Sequence, residues 1–252
     1  MTPPLHKSFL TVPLAHRALH DITDGRPENS RAAIRAALAL GYGIEIDLQL
    51  SQDGEAMVFH DYDLGRLTGE TGPVRQRTAT ELSDIMLSGG EEGVPTLSEV
   101  LTMVDGQVPV LVELKDQDGA LGPDVGILET AAAQAADGYE GPLAYMSFNP
   151  ESVAAMARVA PNVPRGLVTE SFPAGEWSLI KAVVRNRLRE IPDYDRVGAS
   201  FISHQASDLN RSRVLELKST GAHILCWTVR SPKVEAEARK IADNVTFEGY
   251  LA

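Results

Sequence analysis

The chain has 252 residues, 43% of them apolar, and 23 basic side chains stand against 35 acidic ones, a formal charge of −12. This composition supports a sizeable core and excludes a disordered chain. The lone cysteine, Cys226, excludes an internal disulfide framework, and the acidic balance excludes a general nucleic-acid binder, which needs clustered Lys and Arg. No apolar run approaches the roughly 18 residues of a membrane span, and Met1 to Phe9 carries no long apolar leader segment. The expectation is a soluble, cytoplasmic protein with no stable membrane association; nothing in the sequence specifies an oligomeric state.

In chain order, Val12–His16 reads as the first strand. Ser30–Leu40 follows as a helix, with Ile34, Ala37 and Leu38 at helical spacing and Gly41 as its stop. Ile44–Leu48 and Ala56–His60 read as strands. Thr78 to Glu81 and Thr96 to Glu99 are capping-box spacings ahead of apolar helical runs. Pro109–Lys115 and Leu143–Phe148 read as strands, and Asn149-Pro150 opens a helix with an N-cap and a proline at the first helical position. Strand Arg165–Glu170, helix Trp177–Arg189, strands Ser200–His204 and Ala222–Val229, and a helix start at Ser231-Pro232 complete the series.

Several of these strands are almost continuously apolar, as in parallel sheets buried on both faces. Eight strands alternating with helices over this length predict a single TIM (β/α)₈ barrel domain spanning residues 1–252. Seven residues separate Leu48 from Ala56, including Asp53-Gly54. A helical crossover needs about ten to twelve, so the second connection is expected to be irregular, with an extended return in place of a helix. A doubly wound open sheet is the alternative, but it lacks a GxGxxG phosphate loop.

Barrels of this kind carry their chemistry at the C-terminal ends of the strands. Those ends hold His16-Arg17, Glu45 and Asp47, His60-Asp61, and Glu113 with Lys115. Glu45 and Asp47 are two residues apart, so on a strand both point to one face while Ile44, Ile46 and Leu48 point to the other. Carboxylates on one buried face cannot easily all ionise without a cation between them. Two readings follow: a structural ion network with Lys115 and Arg17, or an oxygen-donor site for a hard ion, Mg²⁺ or Ca²⁺. His16 and His60 titrate near neutrality and suit a proton-transfer pair. There is no GxSxG elbow, and Cys226 lies in an apolar run and reads as core. An acid–base pair with a metal and cations fits hydrolysis of a phosphate ester.

The ordered set His16-Arg17, Pro27-Glu28-Asn29-Ser30, Glu45-Ile46-Asp47, Asp53-Gly54, His60-Asp61, Pro95-Thr96-Leu97 and Glu113-Leu114-Lys115 closely resembles the glycerophosphodiester phosphodiesterase family. Beyond Lys115 the likeness is looser, through Ser147-Phe148 and Cys226-Trp227-Thr228-Val229. The resemblance implies a TIM barrel and metal-dependent hydrolysis of a small-molecule glycerophosphodiester to sn-glycerol 3-phosphate and an alcohol. It implies that Glu45, Asp47 and Glu113 hold a divalent cation, Mg²⁺ or Ca²⁺, and that His16 and His60 are the general acid–base pair. Arg17 and Lys115 would bind phosphate oxygens, Glu28 would support the site from the first helix, and Trp227 would pack on the glycerol moiety.

Two features depart from the family pattern. Ala18 stands where the family has Gly after His-Arg, and the eleven-residue step from His16 to Pro27 is longer than the family's. Asp21 to Gly25 makes that loop polar. His204 and Glu170 end strands without an assigned role, and His6, His20 and His223 are unassigned. Competing functions are a sphingomyelinase D-like phospholipid lyase on the same barrel, or a non-catalytic ligand-binding barrel.

Overall fold

A computed structural model describes residues 2–252. Its strands are β1 Leu14–Ala15, β2 Gly43–Leu50, β3 Ala56–Val58, β4 Val110–Leu114, β5 Leu143–Ser147, β6 Arg165–Thr169, β7 Phe201–Gln205, β8 His223–Val229 and β9 Asn244–Phe247. The helices are α1 Ser8–Thr11, α2 Arg31–Leu40, α3 Ala79–Asp84, α4 Leu97–Val104, α5 Ile127–Ala135, α6 Pro150–Val159, α7 Ala182–Arg189, α8 Ser212–Ser219 and α9 Pro232–Ala238. Eight strands pair in parallel in the order β1, β9, β8, β7, β6, β5, β4, β2, and β2 pairs back onto β1, so the sheet closes as the expected TIM barrel.

Seven of the eight expected strands form the barrel; one stands outside it, and a strand that was not expected completes the ring. The run at Ala56 is antiparallel to β2, pairing Leu48 with Val58 and Leu50 with Ala56, and hangs outside the ring. Asp53-Gly54 turns this hairpin, with Gly54 at φ 91°, a left-handed conformation that glycine adopts without strain. The short interval is therefore a hairpin, and the crossover from β2 to β4 is completed by α3 and α4. The eighth barrel strand is β9, which no sequence expectation included.

Local chemistry sets the helix boundaries. Ser30 caps α2 by accepting from the Ala33 N–H at 3.1 Å, and Gly41 ends it at φ 71°. Thr78 and Thr96 form capping boxes with Glu81 and Glu99. Such a cap contributes about 1 kcal/mol. Ile44, Ile46, Leu48, Val110, Val112 and Leu114 face outward and pack with Ala33, Ile34, Ala37, Val100 and Leu101 of the surrounding helices. Leu14, Leu111, Ala144, Met146, Val168, Phe201 and Leu225 share a separate cluster with Phe9, which fills the barrel interior from below. The Asn244 amide donates to the Phe9 and Val12 carbonyls at 2.8 and 2.6 Å and fixes that N-terminal segment. No helix among the described residues is long and apolar enough to cross a membrane.

Candidate active site

The alternation along β2 and β4 sends Glu45, Asp47 and Glu113 into the barrel while their apolar neighbours face the helices. The register pairs Asp47 with Glu113 directly. All three are buried, at 2%, 1% and 7% exposure. Each offers an oxygen within 4.8 Å of the other two. Lys115 reaches into this group, donating to Asp47 Oδ1 at 2.7 Å and Glu113 Oε1 at 2.6 Å. Glu45 Oε2 accepts only the backbone N–H of Arg17, at 2.9 Å, and has no cationic side-chain partner among the described residues.

The electrostatics follow from that asymmetry. Burial, together with the Asp47 and Glu113 charges, pushes the Glu45 carboxyl well above its ordinary range. Burial would also raise Asp47, but Lys115, His60 and Arg17 outweigh it and hold this carboxylate ionised far below its usual range. Burial dominates at Glu113 and raises it despite the ammonium of Lys115. Three buried carboxylates sharing one ammonium leave Glu45 short of positive charge. An all-oxygen set this close, with its charge incompletely balanced, suits a hard divalent cation. The residues fit the ion that the sequence implied.

Arg17 follows His16 in a left-handed turn, with φ 52° at Arg17 and 62° at Ala18. The Ala18 position thus uses a conformation in which glycine is ordinarily preferred, and its methyl group is buried. Arg17 Nη1 donates to Glu28 Oε1 at 2.7 Å, and its Nε lies 3.5 Å from Asp47 Oδ2. Glu28 sits in the turn before α2, not in the first helix from which the resemblance implied it would act, and also accepts both terminal nitrogens of Arg66 at 2.9 Å. It holds Arg17 in place. Asn29, at φ 58°, donates to Asp47 Oδ2 at 2.9 Å and ties the same turn to β2.

The two histidines are each held at Nδ1 by a carboxylate. His16 pairs with Glu248 Oε2 at 2.7 Å, and His60 with Asp61 Oδ1 at 2.6 Å. A carboxylate at Nδ1 fixes the tautomer with its proton there and leaves Nε2 free for chemistry. Burial lowers both imidazoles, His60 to about 4, with Asp47 acting upward against Lys115 and Arg17. The bond from His16 holds Glu248 down at about 2. Asp61 in turn accepts Arg66 Nε at 2.6 Å. Arg17 adjoins His16 in the chain and brings its Nε to 3.5 Å from Asp47, and the charges of Asp47 and Arg17 act on both rings.

A cleft of about 880 Å³ opens beside this centre, from His60, Glu113 and Lys115 to an aromatic wall. Trp227 stands at the end of β8 with its indole donating to the Ser203 carbonyl at 3.0 Å. Phe148 meets Trp227 edge-on at 5.6 Å and Trp177 at 5.1 Å. Glu170 accepts the Trp177 indole N–H and lines the cleft. His204 is fully buried between Thr169 and Asp208 and does not line the cleft.

All nine residues singled out for function lie on this face. Sequence reasoning missed Glu248, Asp61, Arg66, Asn29, Phe148 and Trp177 as working parts. His60-Asp61 was visible as a pair. Glu248 gave no signal, because it follows the strand that went unrecognised.

Residues 16–247 match the model of the glycerophosphoryl diester phosphodiesterase family. A glycerophosphodiester phosphodiesterase of Caldanaerobacter subterraneus is 32% identical over 67% of this chain and 71% of its own. Among solved structures, an Oleispira antarctica phosphodiesterase in complex with the product sn-glycerol-3-phosphate superposes with a TM-score of 0.78. It is 23% identical, over 95% of this chain and 94% of that one. A glycerophosphodiester phosphodiesterase from Parabacteroides distasonis is similar at TM-score 0.71 and 24% identity, over 93% and 91% of the two chains.

Proposed function

The chain belongs to the glycerophosphoryl diester phosphodiesterase family, and from that membership we propose that it hydrolyses glycerophosphodiesters to sn-glycerol 3-phosphate and an alcohol with a divalent cation. The observation that carries this reading is the meeting of Glu45, Asp47 and Glu113 in one buried cluster bordered by two carboxylate-held histidines. Glu45, Asp47 and Glu113 would hold Mg²⁺ or Ca²⁺. When bound, the ion supplies positive charge against the phosphoryl oxygens.

The chain's own groups divide the rest of the work. Arg17, oriented by Glu28, and Lys115 offset charge on the phosphodiester. The attacking oxygen, from water or the substrate's glycerol 2-hydroxyl, gives its proton to Nε2 of one histidine as the new P–O bond forms. The other ring, entering the step as an imidazolium that the bound phosphodiester anion favours, gives its Nε2 proton to the departing alkoxide as the old P–O bond breaks; where the 2-hydroxyl attacks, water then opens the cyclic phosphate with the two roles reversed. Glu248 and Asp61 keep the two rings aimed and stabilise the imidazolium form of each. Trp227 with Phe148 gives the cleft a flat apolar wall on which the carbon face of glycerol packs. This activity would reside in the one barrel domain, in a cytoplasmic setting.

The test is phosphorus NMR of glycerophosphocholine hydrolysis by the wild type and by His16→Ala and His60→Ala. The proposal expects sn-glycerol 3-phosphate from the wild type and a fall of about 10²–10⁴ in turnover for each variant. Near-full activity in both folded variants would overturn the acid–base assignment. A cyclic phosphate as the end product would favour the lyase reading instead.

A further inference from the structure

The long loop after Arg17 has a definite shape. The Asp21 N–H donates to the Arg26 carbonyl at 2.8 Å, and the Arg26 N–H donates back to Asp21 at 3.0 Å, so the extra residues close on themselves. Arg26 Nε also donates to the Leu19 carbonyl at 3.3 Å. The closed loop leaves His20 at its base, where its N–H donates to the Ala18 carbonyl at 2.9 Å. There the His20 ring faces His16 and Glu248, each of the three offering a ligand atom within 4.8 Å of the others. His20 Nε2 is buried and has no hydrogen-bond partner among the described residues.

Two imidazoles and one carboxylate are a donor set unlike the all-oxygen cluster on β2 and β4. Nitrogen-rich sites of this composition take a borderline ion such as Zn²⁺, and leave a fourth position open in its tetrahedral shell. Zinc holds its donors about 2.0–2.2 Å from the metal and so about 3.4 Å from one another; His16 and Glu248 open from their 2.7 Å hydrogen bond to admit it, and His20 stands within 4.8 Å of both. His20 and Glu248 also line a groove of about 820 Å³ bounded by Leu40, Tyr250 and Leu251. That groove gives an ion a route in that avoids the substrate cleft. The opposing charges are few: Arg17 adjoins His16, and the largely exposed Arg230 shares Glu248 Oε2 at 3.2 Å.

We propose that His16, His20 and Glu248 form a second metal site, selective for zinc-type ions, whose occupation inhibits the enzyme. Zinc displaces the Nδ1 proton that His16 shares with Glu248; that proton moves to Nε2 of the same ring, which then has no lone pair with which to accept a proton from substrate. The binding site stands on geometry alone; the inhibition rests on the proton-transfer role proposed for His16.

The experiment titrates zinc into the full chain with Mg²⁺ or Ca²⁺ saturating the oxygen-donor site, reading calorimetric binding and activity in parallel. Co²⁺ serves as a spectroscopic stand-in for tetrahedral coordination. The wild type is expected to bind one equivalent of zinc and lose activity over the same range. His20→Ala is expected to keep its zinc-free activity, to bind at least about tenfold more weakly and to resist inhibition by the same factor. Zinc binding unchanged by His20→Ala, or no zinc binding by the wild type, overturns the site. Binding that depends on His20 but leaves turnover intact supports the site and overturns the role of His16.

Discussion

Glu248 lies 232 residues from His16 in the chain and 2.7 Å from it in space. The pair joins the first and last barrel strands, so the aim of the His16 ring depends on closure of the whole sheet. Glu248→Gln keeps the shape and removes the charge. Turnover should fall roughly tenfold to a thousandfold, less than on removing the imidazole itself. The same variant should change the acid limb of stability. The Glu248 carboxyl is depressed to about 2 in the fold, against roughly 4.3 in an unfolded chain. The unfolded state therefore binds the proton first as pH falls. The stabilisation is complete above the unfolded value and is lost as pH falls through about 2. Melting curves from pH 7 to pH 2 should lose that part of their slope in Glu248→Gln. An identical profile and undiminished turnover would show that Glu248 does not position His16.

The working residues differ in how far the sequence reveals them, for a geometric reason. Glu45 with Asp47, and Glu113 with Lys115, are legible because a strand alternates faces, and a charge two residues from another charge must share its side. His16, Arg17 and His60 are legible from their place after apolar runs. The partners of these groups are not. Glu28 contacts Arg17 through a turn, Arg66 reaches Glu28 and Asp61 from a separate 3₁₀ segment, and Glu248 depends on ring closure. Such relations live in tertiary structure and leave no local pattern.

At the scale of elements, the barrel was readable from strand–helix alternation, while two strands exchanged status. Ala56–Val58 is apolar enough to read as core, but its short Asp-Gly connection makes it the return arm of a hairpin. Asn244–Phe247 is only four residues long and opens on a polar side chain, so it carries too little periodicity to stand out. A glycine marks one place where two barrel strands approach closely. A Cβ on Gly166 of β6 would lie 2.4 to 2.6 Å from the ring of Phe201 on β7, and Phe201 is fully buried in the barrel interior. Gly166→Ala should cost about 1–3 kcal/mol through overpacking. For a domain of this size that lowers the melting temperature by about 2–4 °C per kcal/mol. A thermal melt checks it, and an unchanged midpoint would mean that the interior yields more freely than the geometry indicates.

At the scale of the molecule, the account joins a strongly acidic chain to a site that gathers acidic groups at the mouth of its barrel. Lys115 and Arg17 offset part of that charge, and Glu45 is left without a cationic side chain. A divalent ion bound there should stabilise the fold as well as enable the chemistry, by about 2.7 kcal/mol at a hundredfold excess over its dissociation constant. The most direct measurement is the rate of sn-glycerol 3-phosphate release from glycerophosphocholine by chelator-stripped protein as Mg²⁺ or Ca²⁺ is restored. The account predicts negligible release without ion and saturable recovery with one of them in the wild type, but not in Glu45→Gln or Asp47→Asn. Full activity in the stripped protein, or none at any concentration of either ion, would contradict it.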